Sequence, residues 1–216
     1  VCRSRGSCAP TRASRDRSGR GSIVDLRILG CVVDVAVGEC VGVTYWGYLK
    51  LGELLKLQRP MSDPPEHDEM LFIVIHQVYE LWFKLLLHEL EKIKRNFSDN
   101  DLFGAISTFQ RSRTMMKTLV GQLDILETMT PMSFTSFRDR LETASGFQSA
   151  QFRELEFVLG YKRAAVLKYQ PPNAPQHDDL QRRLTQRSLV DHFYDFLHHR
   201  GVSIPKELFE RDPSLP

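Results

Sequence analysis

From Thr44 onward, apolar residues recur every three or four positions in long stretches, separated by short polar breaks marked by Pro, Gly, Ser and Asp. In TYWGYLKLGELLKLQRP, the residues Tyr45, Tyr48, Leu49, Leu51, Leu54 and Leu55 keep helical spacing up to Pro60. Asp63-Pro64-Pro65-Glu66 reads as a helix start, with an Asp cap, proline at the first helical position and an acid three residues after the cap. Neither Gly nor Pro occurs from Glu66 to Phe97, which predicts one helix of roughly 30 residues and about 45 Å. Ser98-Asp99 is expected to cap a second helix from about Asp101 to Met129. Its inner stripe would be Leu102, Ile106, Phe109, Met116, Leu119, Leu123 and Leu126, ending at Thr130-Pro131. Ser133 would cap a third helix, FTSFRDRLE, broken by Ala144-Ser145-Gly146. A fourth runs from about Ser149 to Gly160, residues 170–179 read as a loop, and LVDHFYDFLHHR is again amphipathic. The pattern predicts an all-α protein of long antiparallel helices.

Before Thr44 the pattern fades. Residues 1–22 are poor in apolar residues and rich in Arg, Ser and Gly, and are expected to be disordered or foreign to the domain. Residues 23–43 alternate weakly at Val33, Val35 and Val37 and hold at most one short strand. Residues 44–216 are therefore taken as the folded domain and 1–43 as an extension.

Composition changes this picture in two places. The formal charge of +2 conceals an uneven spread: residues 1–20 carry Arg3, Arg5, Arg12, Arg15, Arg17 and Arg20 against Asp16, so the body is mildly acidic and offers no nucleic-acid footprint. Cys2, Cys8, Cys31 and Cys40 all precede the helical body, which fits a reducing, cytoplasmic compartment. The apolar run Ile28–Val37 is interrupted by Asp34 and is too short to span a bilayer, so no membrane partner is expected.

The candidate chemistry lies in LFIVIHQVYELWFK, Leu71 to Lys84. Phe72, His76, Tyr79 and Phe83 share one helical stripe, and His76 is either a satisfied core histidine or an imidazole held in an aromatic pocket to bond a ligand. His76 and Glu80 lie one turn apart, where an internal hydrogen bond or ion pair is a simpler reading than shared metal ligation. Arg138 follows Phe134 by one turn; facing inward it would require an anion, and Ser145-Gly146 offers a hydroxyl and backbone N–H groups nearby. An aromatic end at Phe72/His76 and a carboxylate end at Arg138 describe an aromatic amino acid. No di-iron tetrad, zinc-protease motif, phosphate loop or nucleophile elbow occurs.

Four phrases together resemble the tryptophan 2,3-dioxygenase family: TYWGYLKL (44–51), HDEMLFIVIHQVYELWFKLLLHEL (67–90), LETMTPMSFTSFR (126–138) and ASGFQSAQFRELEFVLG (144–160). The likeness covers about residues 44–160 and continues more loosely to about Asp212. It implies a helical haem dioxygenase, a homotetramer holding haem b, which inserts dioxygen into L-tryptophan to give N-formylkynurenine, the first step of the kynurenine pathway. By motif position, His76 corresponds to the distal histidine that accepts from the indole N–H. Phe72, with Ile73, Val74 and Ile75 in the same phrase, falls in the substrate-binding segment. Arg138 corresponds to the carboxylate clamp, with Phe134 beside it. Ser145 and Gly146 match the segment over the haem, and Tyr45 and Tyr48 match tyrosines that reach a neighbouring subunit's site.

The sequence departs from the family pattern. Gly52 replaces a usual Asp, and Glu142-Thr143 replaces the usual Gly/Ser-Pro, so a less rigid loop is expected over the haem. The family's iron-ligating phrase, Trp-Arg-x-x-His, does not occur, and Trp46 and Trp82 are the only tryptophans. No metal-ligating residue is assigned, and the chain is read as the N-terminal half of such an enzyme. A catalytically inactive helical scaffold and an iron-free aromatic amino-acid carrier are the alternatives.

Overall fold

The structure, a computed structural model, describes residues 42–170 and 174–214. The readings made for residues 1–41 lie outside these. All regular structure among the described residues is helical: α1 (Tyr45–Tyr48), α2 (Leu51–Leu54), α3 (His67–Ser98), α4 (Leu102–Leu126), α5 (Pro131–Arg138), α6 (Ala150–Val158), α7 (Pro175–Thr185), α8 (Leu189–His199) and α9 (Lys206–Phe209). Short 3-10 turns occupy Asp139–Leu141, Gly146–Gln148 and Ala164–Tyr169.

The uninterrupted helix expected from Glu66 forms as α3, 32 residues and about 48 Å long. The three-residue turn Asp99–Asp101, with Asn100 at φ 58°, reverses the chain into α4. Cross-contacts then run in opposite senses: the Tyr79 hydroxyl donates to the Leu119 carbonyl at 2.7 Å, and Arg111 pairs with Glu89 at 3.1 Å. The two helices are an antiparallel hairpin. The C-terminal third of α3 is the centre of the core, where Leu86, Leu90, Ile93 and Phe97 pack with Met115, Leu155, Val158, Leu189 and Phe196 of α4, α6 and α8. α3 is also long and apolar enough to cross a bilayer, but this third is a buried core element.

Several local expectations are corrected. The stretch from Tyr45 is two single-turn helices, interrupted at Lys50 with φ 53°. Neither turn buries a residue, so nothing outweighs the cost of nucleating a longer helix. Asp63 does not cap α3; the first helical residue is His67, and Glu66 occupies the cap without a side-chain bond. Asp101, not Ser98-Asp99, caps α4 by accepting from the Gly104 N–H at 2.9 Å. Thr130 and Pro131 open α5 instead of closing α4, with Thr130 accepting from the Ser133 N–H. Within 170–179, Pro175 already begins α7.

The buried face of α4 is Ala105, Thr108, Ser112, Met115 and Leu119, so Leu119 alone of the expected stripe is fully buried. Small residues let two long helices approach. Thr108 and Ser112 satisfy their hydroxyls on carbonyls one turn back, at 2.7 and 3.0 Å, so burying them leaves no open donor. The bulky Ile106, Phe109, Met116 and Leu123 are left partly exposed on the flank.

A polar web joins the elements C-terminal to α6. Arg183 on α7 bonds Glu91 of α3 at 2.6 Å and Glu154 of α6 at 3.2 Å. Buried Lys162 donates to the carbonyls of Arg183 and Gln186, each at 2.7 Å, and so closes the end of α7. Burial, together with the positive charge of Lys94, brings its pKa down to about 8.

At the other end of α3, Glu69 is 1% exposed and accepts from the Met61 N–H at 2.6 Å, from the Ser62 N–H at 3.0 Å and from the Ser62 hydroxyl. Burial works against its charge, but these bonds and the nearby Arg140 leave its pKa below the ordinary carboxylate value. Glu69→Gln turns one acceptor into a donor facing N–H groups, and should cost about 1–3 kcal/mol at neutral pH. Because the folded pKa is depressed, that stabilisation is present above the unfolded value of 4.5 and lost as pH falls. Urea unfolding at neutral and acid pH should therefore show a gap between parent and variant that closes below pH 4.5. A gap independent of pH would contradict this assignment.

Candidate active site

Phe72, His76 and Glu80 follow one another turn by turn on the N-terminal half of α3, and together they wall a cavity of about 340 Å³. The opposite wall is the segment after α5, including Ser145, Gly146 and Gln148. Rings crowd one end: Phe72 lies 4.1 Å from His76, 5.7 Å from Phe134 and 5.6 Å from Phe137, centroid to centroid. Phe137 is fully buried and meets Phe134 edge-on at 87°, so α5 is fixed against α3 through aromatic contacts.

His76 Nδ1 lies 2.7 Å from the Phe72 carbonyl. A carbonyl oxygen only accepts, so Nδ1 carries a proton, and in the neutral tautomer that this bond selects Nε2 is the acceptor. The imidazole thus presents an acceptor. The bond expected between His76 and Glu80 does not form. Glu80 instead accepts from Gln151 Nε2, at 2.7 Å on its carboxylate and 2.9 Å on its backbone oxygen. This crossbar ties α6 to α3 one turn beyond His76. On its other side, α3 is held by Gln58 Nε2 donating to Gln77 Oε1 at 2.6 Å, and a second cavity of about 360 Å³ again touches His76 and Glu80.

The remaining candidates separate. Ile73, Val74 and Ile75 do not line the Phe72–His76 cavity, because a helix turns them onto other faces: Ile75 is buried and Val74 exposed. Arg138 is half-buried and does not line the cavity either. Its Nη1 donates to the Glu142 carbonyl at 3.2 Å, so a backbone oxygen stands where an inward arginine was expected to need an anion. Tyr45 and Tyr48 are 62% and 75% exposed. Ser145 caps the 3-10 turn Gly146–Gln148, accepting from the Phe147 N–H while Gln148 Oε1 accepts from the Ser145 N–H. A side chain placed at Gly146 would meet nothing within 4 Å, so the space above it is open.

Sequence reasoning missed an apolar trough of about 560 Å³ farther along the α3 stripe, bounded by Tyr79, Phe83, Met116, Val120, Leu123 and Phe152. Met116 and Leu123 had been assigned to the core. The available signal was an apolar face on α4 too wide for one seam. The trough continues the α3 stripe that carries His76. No histidine lines it, and among the described residues no three His, Cys, Asp or Glu side chains converge to hold a metal. The site is thus an aromatic cavity bordered by His76, with an apolar trough farther along the same helix.

A family model for tryptophan 2,3-dioxygenase matches residues 32–207. The match begins ahead of Thr44, where the resemblance was first legible. Among curated proteins, the tryptophan 2,3-dioxygenase of Herpetosiphon aurantiacus is 53% identical over 170 residues, covering 79% of this chain and 65% of that protein. That of Anaeromyxobacter sp. (strain K) is 48% identical over 163 residues, 76% of this chain and 61% of that protein. That of Kineococcus radiotolerans is 44% identical over 170 residues, covering 79% and 59%. This chain belongs to the tryptophan 2,3-dioxygenase family. It spans roughly three-fifths to two-thirds of the length of these relatives.

Ser145 is exposed, and its bonds hold a turn instead of a core. Ser145→Ala should change global stability by no more than about 1 kcal/mol, yet speed amide exchange at Phe147 and Gln148. Exchange rates unchanged in the variant would show that the capping box does not hold this wall.

Proposed function

We propose that this chain forms the substrate side of a haem-dependent dioxygenase that opens the indole ring of L-tryptophan to N-formylkynurenine. One observation carries this reading. In a chain of this family, the His76 Nδ1–H donates to the Phe72 carbonyl, which leaves Nε2 as the ring atom facing away from the helix backbone, beside Phe72 and a cavity open above Gly146. A neutral acceptor of this kind suits an uncharged N–H such as that of indole.

Each residue has a distinct part. Phe72, backed by Phe134 and Phe137, offers an aromatic wall for the ring. His76 Nε2 accepts from the indole N–H, which fixes the ring's edge. Arg138 turns from the Glu142 carbonyl to the substrate carboxylate; the exchange of one oxygen acceptor for a charged one is favourable. Ser145 and Gly146, and the apolar side chains of Tyr79, Phe83 and Phe152, would be the residues that hold haem b. The haem supplies the redox chemistry that adds both atoms of dioxygen across the pyrrole double bond.

The exposed Tyr45 and Tyr48, together with Met70, Leu81 and Leu85 on the outer face of α3, support a homotetramer in which neighbouring subunits cover apolar surface. The cytoplasm is the proposed compartment, and neither nucleic acid nor membrane is proposed as a partner. No feature of the site favours the inactive scaffold or the iron-free carrier.

Two outcomes test this. The 216-residue chain mixed with ferrous haem should not give the stoichiometric five-coordinate histidine spectrum, because the trough offers no imidazole. Observing that spectrum would show that a histidine of this chain reaches the iron and would overturn this expectation. Joining this chain to the remaining C-terminal portion of the Herpetosiphon aurantiacus relative should give a protein that makes N-formylkynurenine. In it, Arg138→Leu should weaken tryptophan binding by roughly 2–5 kcal/mol, against about 0.5–1.5 kcal/mol for His76→Ala. Tryptamine, which lacks the carboxylate, should be almost indifferent to Arg138→Leu. A hybrid that folds and binds haem but leaves indole intact would sink the proposal.

A further inference from the structure

A smaller cavity, of about 200 Å³, lies on the far side of the turn Gly146–Gln148, between α6 and the 3-10 turn Ala164–Tyr169. Its walls include Phe147, Arg153, Arg163, Lys168 and Tyr169. The charges there do not balance. Arg153 is only 5% exposed, and its Nη1 bonds Glu156 Oε2 at 2.7 Å. Arg163 Nη2 bonds Oε1 of the same carboxylate. Two guanidinium groups therefore share a single negative charge. Lys168 adds a third cation, its Nζ 5.1 Å from the Tyr169 ring centroid.

The hydrogen-bond inventory is also incomplete. The Nε–H groups of both Arg153 and Arg163 are buried and meet no acceptor among the described residues. A buried donor on a charged group is costly when left open, which is why such groups are nearly always paired. The aromatic wall is already organised: Phe147 and Tyr169 stack at 5.4 Å with 26° between planes. The Arg153 guanidinium carbon lies 6.0 Å from the Phe147 ring centroid and 5.1 Å from that of Phe152.

We propose that this cavity binds a small, flat monocarboxylate. Its carboxylate pairs with the guanidinium groups of Arg153 and Arg163 where they line the cavity, and its body lies against the Phe147–Tyr169 pair. The volume falls below the usual range for drug-sized ligands, which favours a single-ring acid over a nucleotide or peptide. One carboxylate supplies the missing negative charge.

Occupancy reaches the candidate active site through one turn of chain. Phe147 faces this cavity, whereas its neighbours Gly146 and Gln148 line the Phe72–His76 cavity. Gln170, next to Tyr169, donates to the Gln148 carbonyl at 2.6 Å and links the same two walls. A bound acid that fixes Phe147 and Tyr169 therefore also fixes the turn over the active-site cavity.

The test uses the 216-residue chain without haem, so its result is separable from that of the proposed dioxygenase activity. Sodium benzoate is titrated by calorimetry, with benzamide as the uncharged comparison, against the parent, Arg163→Gln and Lys168→Gln. Benzoate should bind the parent saturably with one site, and benzamide should not. Arg163 is partly exposed, so its variant should fold; it should bind benzoate about tenfold or more weakly, the loss expected for one charge-assisted bond. Lys168→Gln should weaken binding less, since that lysine is exposed and makes no bond to the ligand. Amide exchange at Gly146–Gln148 should slow on benzoate addition. Equal affinity of parent and Arg163→Gln, equal binding of benzoate and benzamide, or no saturable binding of benzoate would each overturn the proposal.

Discussion

The fold and the candidate site depend on the same continuous helix. α3 runs 32 residues with neither glycine nor proline, and its two ends have different tasks. From Leu86 to Phe97 it is the buried axis of the core; from Phe72 to Glu80 it carries the cavity wall. A continuous hydrogen-bonded helix transmits the register of one end to the other, so packing around Leu90 and Ile93 sets the direction of His76 several turns away. Three attachments keep the thinly covered end from swinging: Glu69 on the Ser62 corner, Gln77 on Gln58, and Glu80 on Gln151. All three are hydrogen bonds, and they act beside the aromatic contact of Phe72 with Phe134 and Phe137 of α5.

The sequence showed the helices wherever periodicity was long and uninterrupted, and it misjudged their ends. α3 and α8 appear within a residue or two of their expected limits, because their apolar stripes and, for α8, the Ser188–Asp191 capping box act locally. The start signal at Asp63-Pro64 failed: the Glu66 N–H that an Asp63 cap would take donates to the Ser62 hydroxyl at 2.8 Å. The stripe on α4 was misread for a different reason. Burial there follows closeness of approach, so Ala105, Thr108 and Ser112 face inward while larger residues do not. Hydrophobicity ranks residues by size, whereas a close helix–helix seam selects against it.

The same distinction explains how much of the site was legible. Phe72, His76, Ser145 and Gly146 were assigned by motif position and do border one cavity. Ile73, Val74 and Ile75 came with the phrase and were turned away by helical geometry. Gln151 was not visible at all, since its link to Glu80 joins residues 71 apart in sequence. The trough was hidden because its residues look like core in a linear reading. Phe83 and Phe152 meet at 5.5 Å across two helices that the sequence places far apart.

Arg138, proposed to bind the substrate carboxylate, makes a structural bond here. Its guanidinium holds the Glu142 carbonyl, and Glu142 itself sits at φ 47°, outside the usual range for a residue with a side chain. The bond therefore pins the strained end of the turn that leads to Ser145. In the proposed function, a substrate carboxylate that reached Arg138 would compete for the same donors with a full negative charge against a carbonyl dipole. Substrate binding would then release the Glu142 turn as it engages Arg138, and the loop over the cavity would respond to the ligand's charged end. An uncharged indole offers no such competition, so recognition of the amino-acid end and closure of the loop would be one event.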